Sequence, residues 1–285
     1  MAICLPIALL FVAISAALPS PNHINRSTPF SQSSISPWDT GAVTQFAIHS
    51  SCNATQRRQI ELGLSEATTL ANHARDHILR WGNESEIYRK YFGDSPSMKP
   101  AGSFDVVMNG DRRNVLFRCD NPDGNCDIEG YAGHWRGENG TDETVICDLS
   151  YETRRSLSTM CALGYTVSEY ETNTFWASDL LHRLYHVPSI GQNYVEHFAD
   201  GYEEVIDLAV ENAELSTHDS ETLQYFALES YAYDIAVPGT GCPGKQHEHH
   251  QGDESNASTA TQSPTVTSDA PATCHTHEGG ELHCI

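Results

Sequence analysis

Apolar positions recur at three- and four-residue steps from Thr55 to Trp81. Ile60, Leu64, Ala67, Ala71, Ala74, Ile78 and Trp81 keep to one face, which predicts an amphipathic helix that Gly82-Asn83 ends. A shorter helix is expected from Glu84 to Phe92. The pattern then changes. Phe104–Met108 and Asn114–Cys119 read as short strands, followed by the turn-rich DNPDGNCD and a further strand at Thr144–Cys147. A mostly apolar helix is predicted over Thr174–His186, broken by Val187-Pro188-Ser189-Ile190-Gly191. Two more helices are expected, over Gln192–Leu215 and Ser220–Tyr233, and Val237–Gly241 closes the ordered domain near Cys242.

The two ends of the chain depart from this pattern. Residues 1–17 carry an uncharged apolar run, Ile3 to Ile14, and then Ser15-Ala16-Ala17, which reads as a secretory signal peptide with its cleavage site. A Ser-, Pro- and Asn-rich stretch over 18–50 reads as a loosely ordered lead-in. The ordered domain is placed at 51–242. Residues 243–273 read as a Ser/Thr-rich linker too poor in apolar groups to offset its ordering entropy, and 274–285 as a terminal cassette. Export fits the cysteines. Losing Cys4 with the signal leaves eight, an even number suited to disulfides in an oxidising compartment. Asn25, Asn53, Asn83, Asn139 and Asn256 open N-x-S/T sites, which need surface positions if glycosylated.

Charge narrows the partners. With 16 Lys and Arg against 38 Asp and Glu, the net charge of −22 excludes broad nucleic-acid binding and docking on anionic membranes, and favours cations and basic partners. No later segment is apolar enough to insert in a membrane.

Fifteen histidines carry the candidate chemistry. His182 and His186 stand four apart on a helix flanked by apolar residues, so both rings can reach one metal ion. Two buried imidazoles need partners, and a metal is an economical one. Zn2+ wants three or four N, S or O ligands. The next predicted helix offers His197, Asp200 and Glu204 on one face, with His197 ranked first as third ligand and Asp200 second. The opposing reading, an amphipathic helix with a solvated acidic face, stands beside it, because Val195, Phe198, Tyr202, Val205, Ile206 and Ala209 line the opposite side. A second pair, His73 and His77, falls on the polar side of its helix and is assigned to a solvated face. Between His182 and His186 sits Arg183, where a zinc peptidase of the H-E-x-x-H type has its general base. Arg accepts no proton at ordinary pH, and Asp179 one turn earlier suits an ion pair with it.

In the tail, pairing Cys274 with Cys284 gives a hairpin in which His275 faces His283 and Thr276 faces Leu282. Alternation then puts His275, His277 and His283 on one face, a three-imidazole site with an open position for an exchangeable zinc. The run His247-Glu248-His249-His250 is either an auxiliary site or a solvated stretch.

The HRLYH helix, the stretch HVPSIG through YVEHFADGYEEVIDLA, LQYFALESYAYD and the terminal CHTHEGGELHC together resemble the fungal HRxxH family of secreted zinc-scavenging antigens and allergens. The resemblance implies a secreted or cell-wall protein that captures zinc and returns it to a cell-surface zinc transporter, with binding of host proteins as a further role. It implies an α+β, mainly helical fold of the zincin-like, deuterolysin-related kind with a small sheet. It implies the pairs Cys52–Cys119, Cys126–Cys147 and Cys161–Cys242, and it raises Asp200, since an Asp is the third ligand in that fold group. Arg183 departs from the active peptidase pattern, so the expectation leans away from an enzyme. The rivals are a zinc metalloprotease with a relocated base, Glu203 or Glu204, and an adhesion protein in which zinc is structural.

Overall fold

The computed structural model describes residues 37–245 and the backbone of two strands at 274–276 and 282–284. The signal segment, most of the lead-in, Asn25, Asn256, the His247–His250 run, the linker from 246 on and His277 lie outside the described residues. Residues 37–40 form a single turn closed by the Thr40 N–H on the Pro37 carbonyl.

The longest described helix is α1 (Ala54–Trp81). It starts at a reciprocal cap: Asn53 Oδ1 accepts from the Thr55 and Gln56 N–H groups, and Gln56 Oε1 accepts from the Asn53 N–H. The predicted stripe is buried from Ile60 to Ile78, whereas Trp81 at its end is 46% exposed. Before α1 lies β1 (Ala47–Ile48). After it come α2 (Glu86–Phe92), α3 (Met98–Asn109), β2 (Leu116–Arg118), β3 (Gly133–Trp135), β4 (Glu143–Ile146), α4 (Asp148–Thr153), α5 (Trp176–His186), the single turn α6 (Pro188–Gly191), α7 (Gly201–Glu211), the turn α8 (Ala213–Ser216) and α9 (Ser220–Tyr231), which runs into a π-helical turn at Ala232–Ala236. The described fold is therefore mainly helical with a small mixed sheet. None of the described helices is long and apolar enough to cross a membrane.

The sheet order is β1-β2-β4-β3, with β1, β2 and β4 parallel and β3 antiparallel at the edge. Helices α3, α5 and α9 pack on α1. Gly63 sets how close α5 can come: a Cβ there would meet Leu180 Cδ1 at 2.7 Å. On the α9 side, Phe226 gathers Tyr88, Tyr91, Phe92 and Phe104 with ring centroids 5.0–6.2 Å away. Rings of this size each contribute about 1.5–3 kcal/mol on full burial. Disulfides Cys52–Cys119, Cys126–Cys147 and Cys161–Cys242 join segments 67, 21 and 81 residues apart, in the pairing that the family resemblance implied. Asn53, Asn83 and Asn139 are exposed, as their sequons require.

The structure corrects several expectations. Phe104–Met108 is helical, inside α3, not a strand. Ala101, Phe104 and Val107 are buried at three-residue steps against α1, and that packing outweighs the strand preference of two adjacent valines. Two strands, β1 and β3, had no prediction, and β1 lies in the stretch read as lead-in. They are two and three residues long, too short for a period to register. The helix expected over Gln192–Leu215 starts only at Gly201 and is divided into α7 (Gly201–Glu211) and the turn α8 (Ala213–Ser216). Gln192 and Asn193 take left-handed conformations (φ 56° and 51°), which reverse the chain. The His73/His77 pair is not on a solvated face: His77 is 6% exposed and His73 half-buried.

Candidate metal centre

Helix α5 is buried over Trp176–Tyr185, an unusual position for a segment bearing Asp, His and Arg. Its charges are accounted for on one side. Arg183 Nε donates to Asp179 Oδ2 (2.9 Å) and Nη2 to Oδ1 (3.2 Å), and Arg154 Nη2 donates to Oδ1 as well (3.3 Å). Burial would raise the Asp179 pKa, but the two guanidinium groups outweigh it and hold the carboxyl below its ordinary value. The expected Asp179–Arg183 pair is present, and Arg154 joins it. Arg183 is thus committed to Asp179 in the position where a general base would stand.

On the other side, His182 and His186 meet. Their Nε2 atoms lie 3.0 Å apart and their rings 4.7 Å. The third ring comes from outside any helix. After α6 the left-handed turn at Gln192-Asn193 sends the chain back, and the segment 194–200 is pinned beside the start of α9. Glu196 exchanges backbone hydrogen bonds with His218 and Ser220 (2.9 and 2.8 Å). Buried Asp219 accepts from the Phe198 and Ala199 N–H groups with Oδ1 (2.7 and 3.2 Å) and from the Thr222 N–H and hydroxyl with Oδ2, both 2.7 Å. Burial still pushes the Asp219 carboxyl above its usual range, against these four donors. The clamp delivers His197, whose Nε2 stands 3.2 Å from His186 Nε2.

The ligating atoms of His182, His186 and His197 all lie within 4.8 Å of one another. Donor nitrogens about 2.0–2.1 Å from a tetrahedral zinc are separated by about 3.3 Å, so the observed 3.0 and 3.2 Å fit a single ion of that size. For Nε2 of His182 to present a lone pair, Nδ1 must carry the proton. Ser220 Oγ lies 3.1 Å from Nδ1 and can accept it, whereas the Gln224 amide nitrogen, 3.0 Å from Nδ1, is a donor and favours the opposite tautomer. His182 is 8% exposed, while His186 and His197 are half-buried, so the cluster faces outward on their side. Trp135 of β3 stacks on the outer ring, His186, with centroids 6.5 Å apart and planes 15° apart.

Of the other expected ligands, Asp200 is not on a helix face with His197. It is the N-cap residue of α7, and its backbone N–H donates to Glu204 Oε2 (3.0 Å). In the tail, strands β5 (Cys274–Thr276) and β6 (Leu282–Cys284) pair antiparallel with Cys274 opposite Cys284, His275 opposite His283 and Thr276 opposite Leu282, the register the spacing predicts. The positioning residues Asp219, Ser220, Gln224 and Trp135 were not anticipated. Asp219 alone left a trace, as an N-cap type just before an apolar helical pattern.

The other histidine pair finds a different partner. Asp234 Oδ2 lies 3.0 Å from His73 Nε2 and 2.6 Å from His77 Nδ1, and Ser85 Oγ lies 2.7 Å from His77 Nε2. A second group of potential metal ligands results, although here a carboxylate oxygen already accepts from both rings.

The profile of the HRXXH family, described as "Putative peptidase family", matches residues 3–245. The chain belongs to this family. It is 59% identical to "Major allergen Asp f 2" of Aspergillus fumigatus, an alignment covering 100% of this chain and 98% of that one. It is 48% identical to "pH-regulated antigen PRA1" of Candida albicans over 87% of this chain and 82% of that one. Among solved structures, a zinc peptidase from Grifola frondosa superimposes with a TM-score of 0.48 at 14% identity, over 64% of this chain and 99% of its own.

Proposed function

We propose that this protein is a secreted zinc-binding protein that captures extracellular Zn2+ and delivers it to the cell surface. The observation that carries the reading is the convergence of three imidazoles, His182, His186 and His197, beside an Arg183 tied to Asp179. Three neutral nitrogens bind a divalent cation, and no carboxylate stands next to His182 in the chain to activate water. The tail supplies His275, His277 and His283 as a second, exchangeable site. The relatives named as an allergen and an antigen support a place outside the cell, and a zinc transporter and host proteins are the partners this role would meet. Because bound imidazole must be neutral, uptake should weaken as the pH falls through about 6.5.

Titration calorimetry of the mature full chain is expected to show more than one zinc per molecule, with at least one lost in the His275→Ala/His277→Ala/His283→Ala chain. Equal stoichiometry in the two would remove the tail from the reading. The family's description favours one other reading, a zinc peptidase with a substitute base. Casein hydrolysis that disappears on chelation and in Glu203→Ala or Glu204→Ala would establish it in place of the carrier.

A further inference from the structure

Strand β3 has two neighbours that no interaction within its own sheet explains. As the edge strand it pairs only with β4 among the described strands of its sheet, and an open edge is a place where an extended segment can settle. Strand β5 of the terminal hairpin lies beside it without joining the sheet. The same strand packs on α5 and stacks Trp135 on His186. It is drawn in closely: a Cβ at Gly133 would stand 2.3 Å from the Val145 carbonyl and 2.4 Å from the Arg183 guanidinium. Three residues therefore lie between the helix that carries His182 and His186 and the hairpin whose register sets His275 opposite His283.

We propose that the hairpin docks beside β3 as a tethered carrier, so that a divalent cation taken up by the tail passes within the molecule to His182, His186 and His197. The idea rests on the reading of both sites as metal sites and adds a route between them. The transfer is a ligand exchange: one imidazole nitrogen leaves the ion as another enters, the proton held between the closely spaced rings of the internal site passes to another ring nitrogen or to solvent, and no electron moves. The tether, residues 246–273, gives the tail a local concentration at β3 that free tail peptide at micromolar levels does not reach.

The test uses the full chain with a specific protease site inserted between residues 251 and 273, folded intact and then cut. Co2+ serves as the probe. Its arrival at the internal site is followed by quenching of Trp135 fluorescence, taken as the difference from a Trp135→Phe chain. Cutting should slow loading by about tenfold at micromolar protein, and so should His275→Ala/His283→Ala in the uncut chain. Amide exchange at residues 133–135 should speed up after the cut. Loading at the uncut rate in both samples overturns the relay, and unchanged exchange at β3 overturns the docking. If the His275→Ala/His283→Ala chain shows no Co2+ quenching even at equilibrium, the internal site itself fails and the relay with it, whereas full quenching at an undiminished rate sinks the relay alone.

Discussion

Two helices of this protein each carry histidines four residues apart, and the pairs end in different chemistry. On α1, His73 and His77 converge on Asp234, with Ser85 at the remaining nitrogen of His77. Oxygen faces nitrogen at each contact, and a hydrogen atom between them satisfies both. On α5, nitrogen faces nitrogen: His182 against His186, and His186 against His197. Two ring nitrogens about 3 Å apart cannot both present lone pairs to each other without a proton or a cation between them. Spacing alone gives a shared helix face. The third group, brought from elsewhere in the chain, decides whether that face is closed by a carboxylate or offers converging ring nitrogens that could hold a cation.

The largest test concerns what lets α5 hold its chemistry in the interior. In Asp179→Ala the buried Arg154 and Arg183 lose their counter-charge, and denaturant unfolding should show a loss of about 3–5 kcal/mol. A loss under about 1 kcal/mol would mean that the pair is not what keeps the helix buried.

The comparison itself is broken or upheld by a paired experiment. With zinc at a hundredfold excess over its dissociation constant, binding adds about 2.7 kcal/mol to stability, roughly 5–10 °C in Tm for a domain of this size. His182→Ala/His186→Ala should abolish that rise. His73→Ala/His77→Ala should keep it, while lowering metal-free stability by about 1–3 kcal/mol because Asp234 and Ser85 lose their partners. If the α1 variant also loses the zinc-dependent rise, the two pairs are alike and the distinction fails.

A smaller effect sharpens it. Ser220→Ala removes the hydroxyl beside His182 Nδ1 and should weaken zinc binding about tenfold by calorimetry. The α1 clasp should be untouched.

How much of this was legible beforehand depends on whether the determining contacts are local. The α1 stripe, the α5 helix, the Asp179–Arg183 pair and the β5/β6 register all follow from periods of 3.6 or 2 within a few residues. His197 was picked out as a third ligand, yet on the premise of a helix that does not form there. The left-handed turn at Gln192-Asn193 and the hold of Asp219 on the Phe198 and Ala199 N–H groups place its ring instead. His73 and His77 were assigned to solvent because their helix face is polar, and nothing within α1 announces an aspartate 157 residues away from His77. Phe104–Met108 failed for a related reason: two valines favour a strand locally, and burial against α1 outweighs them.

By itself the order of residues determined which segments had a face to bury, which cysteines were available for pairing, and that imidazoles stood four apart on a helix, because these depend on chain geometry over one or two turns. Tertiary structure decided which imidazoles meet each other, which meet a carboxylate, and where Arg183 spends its charge. Those outcomes turn on distances of about 3 Å between groups far apart in the chain, and only the packing of α1, α5, α9 and β3 sets them.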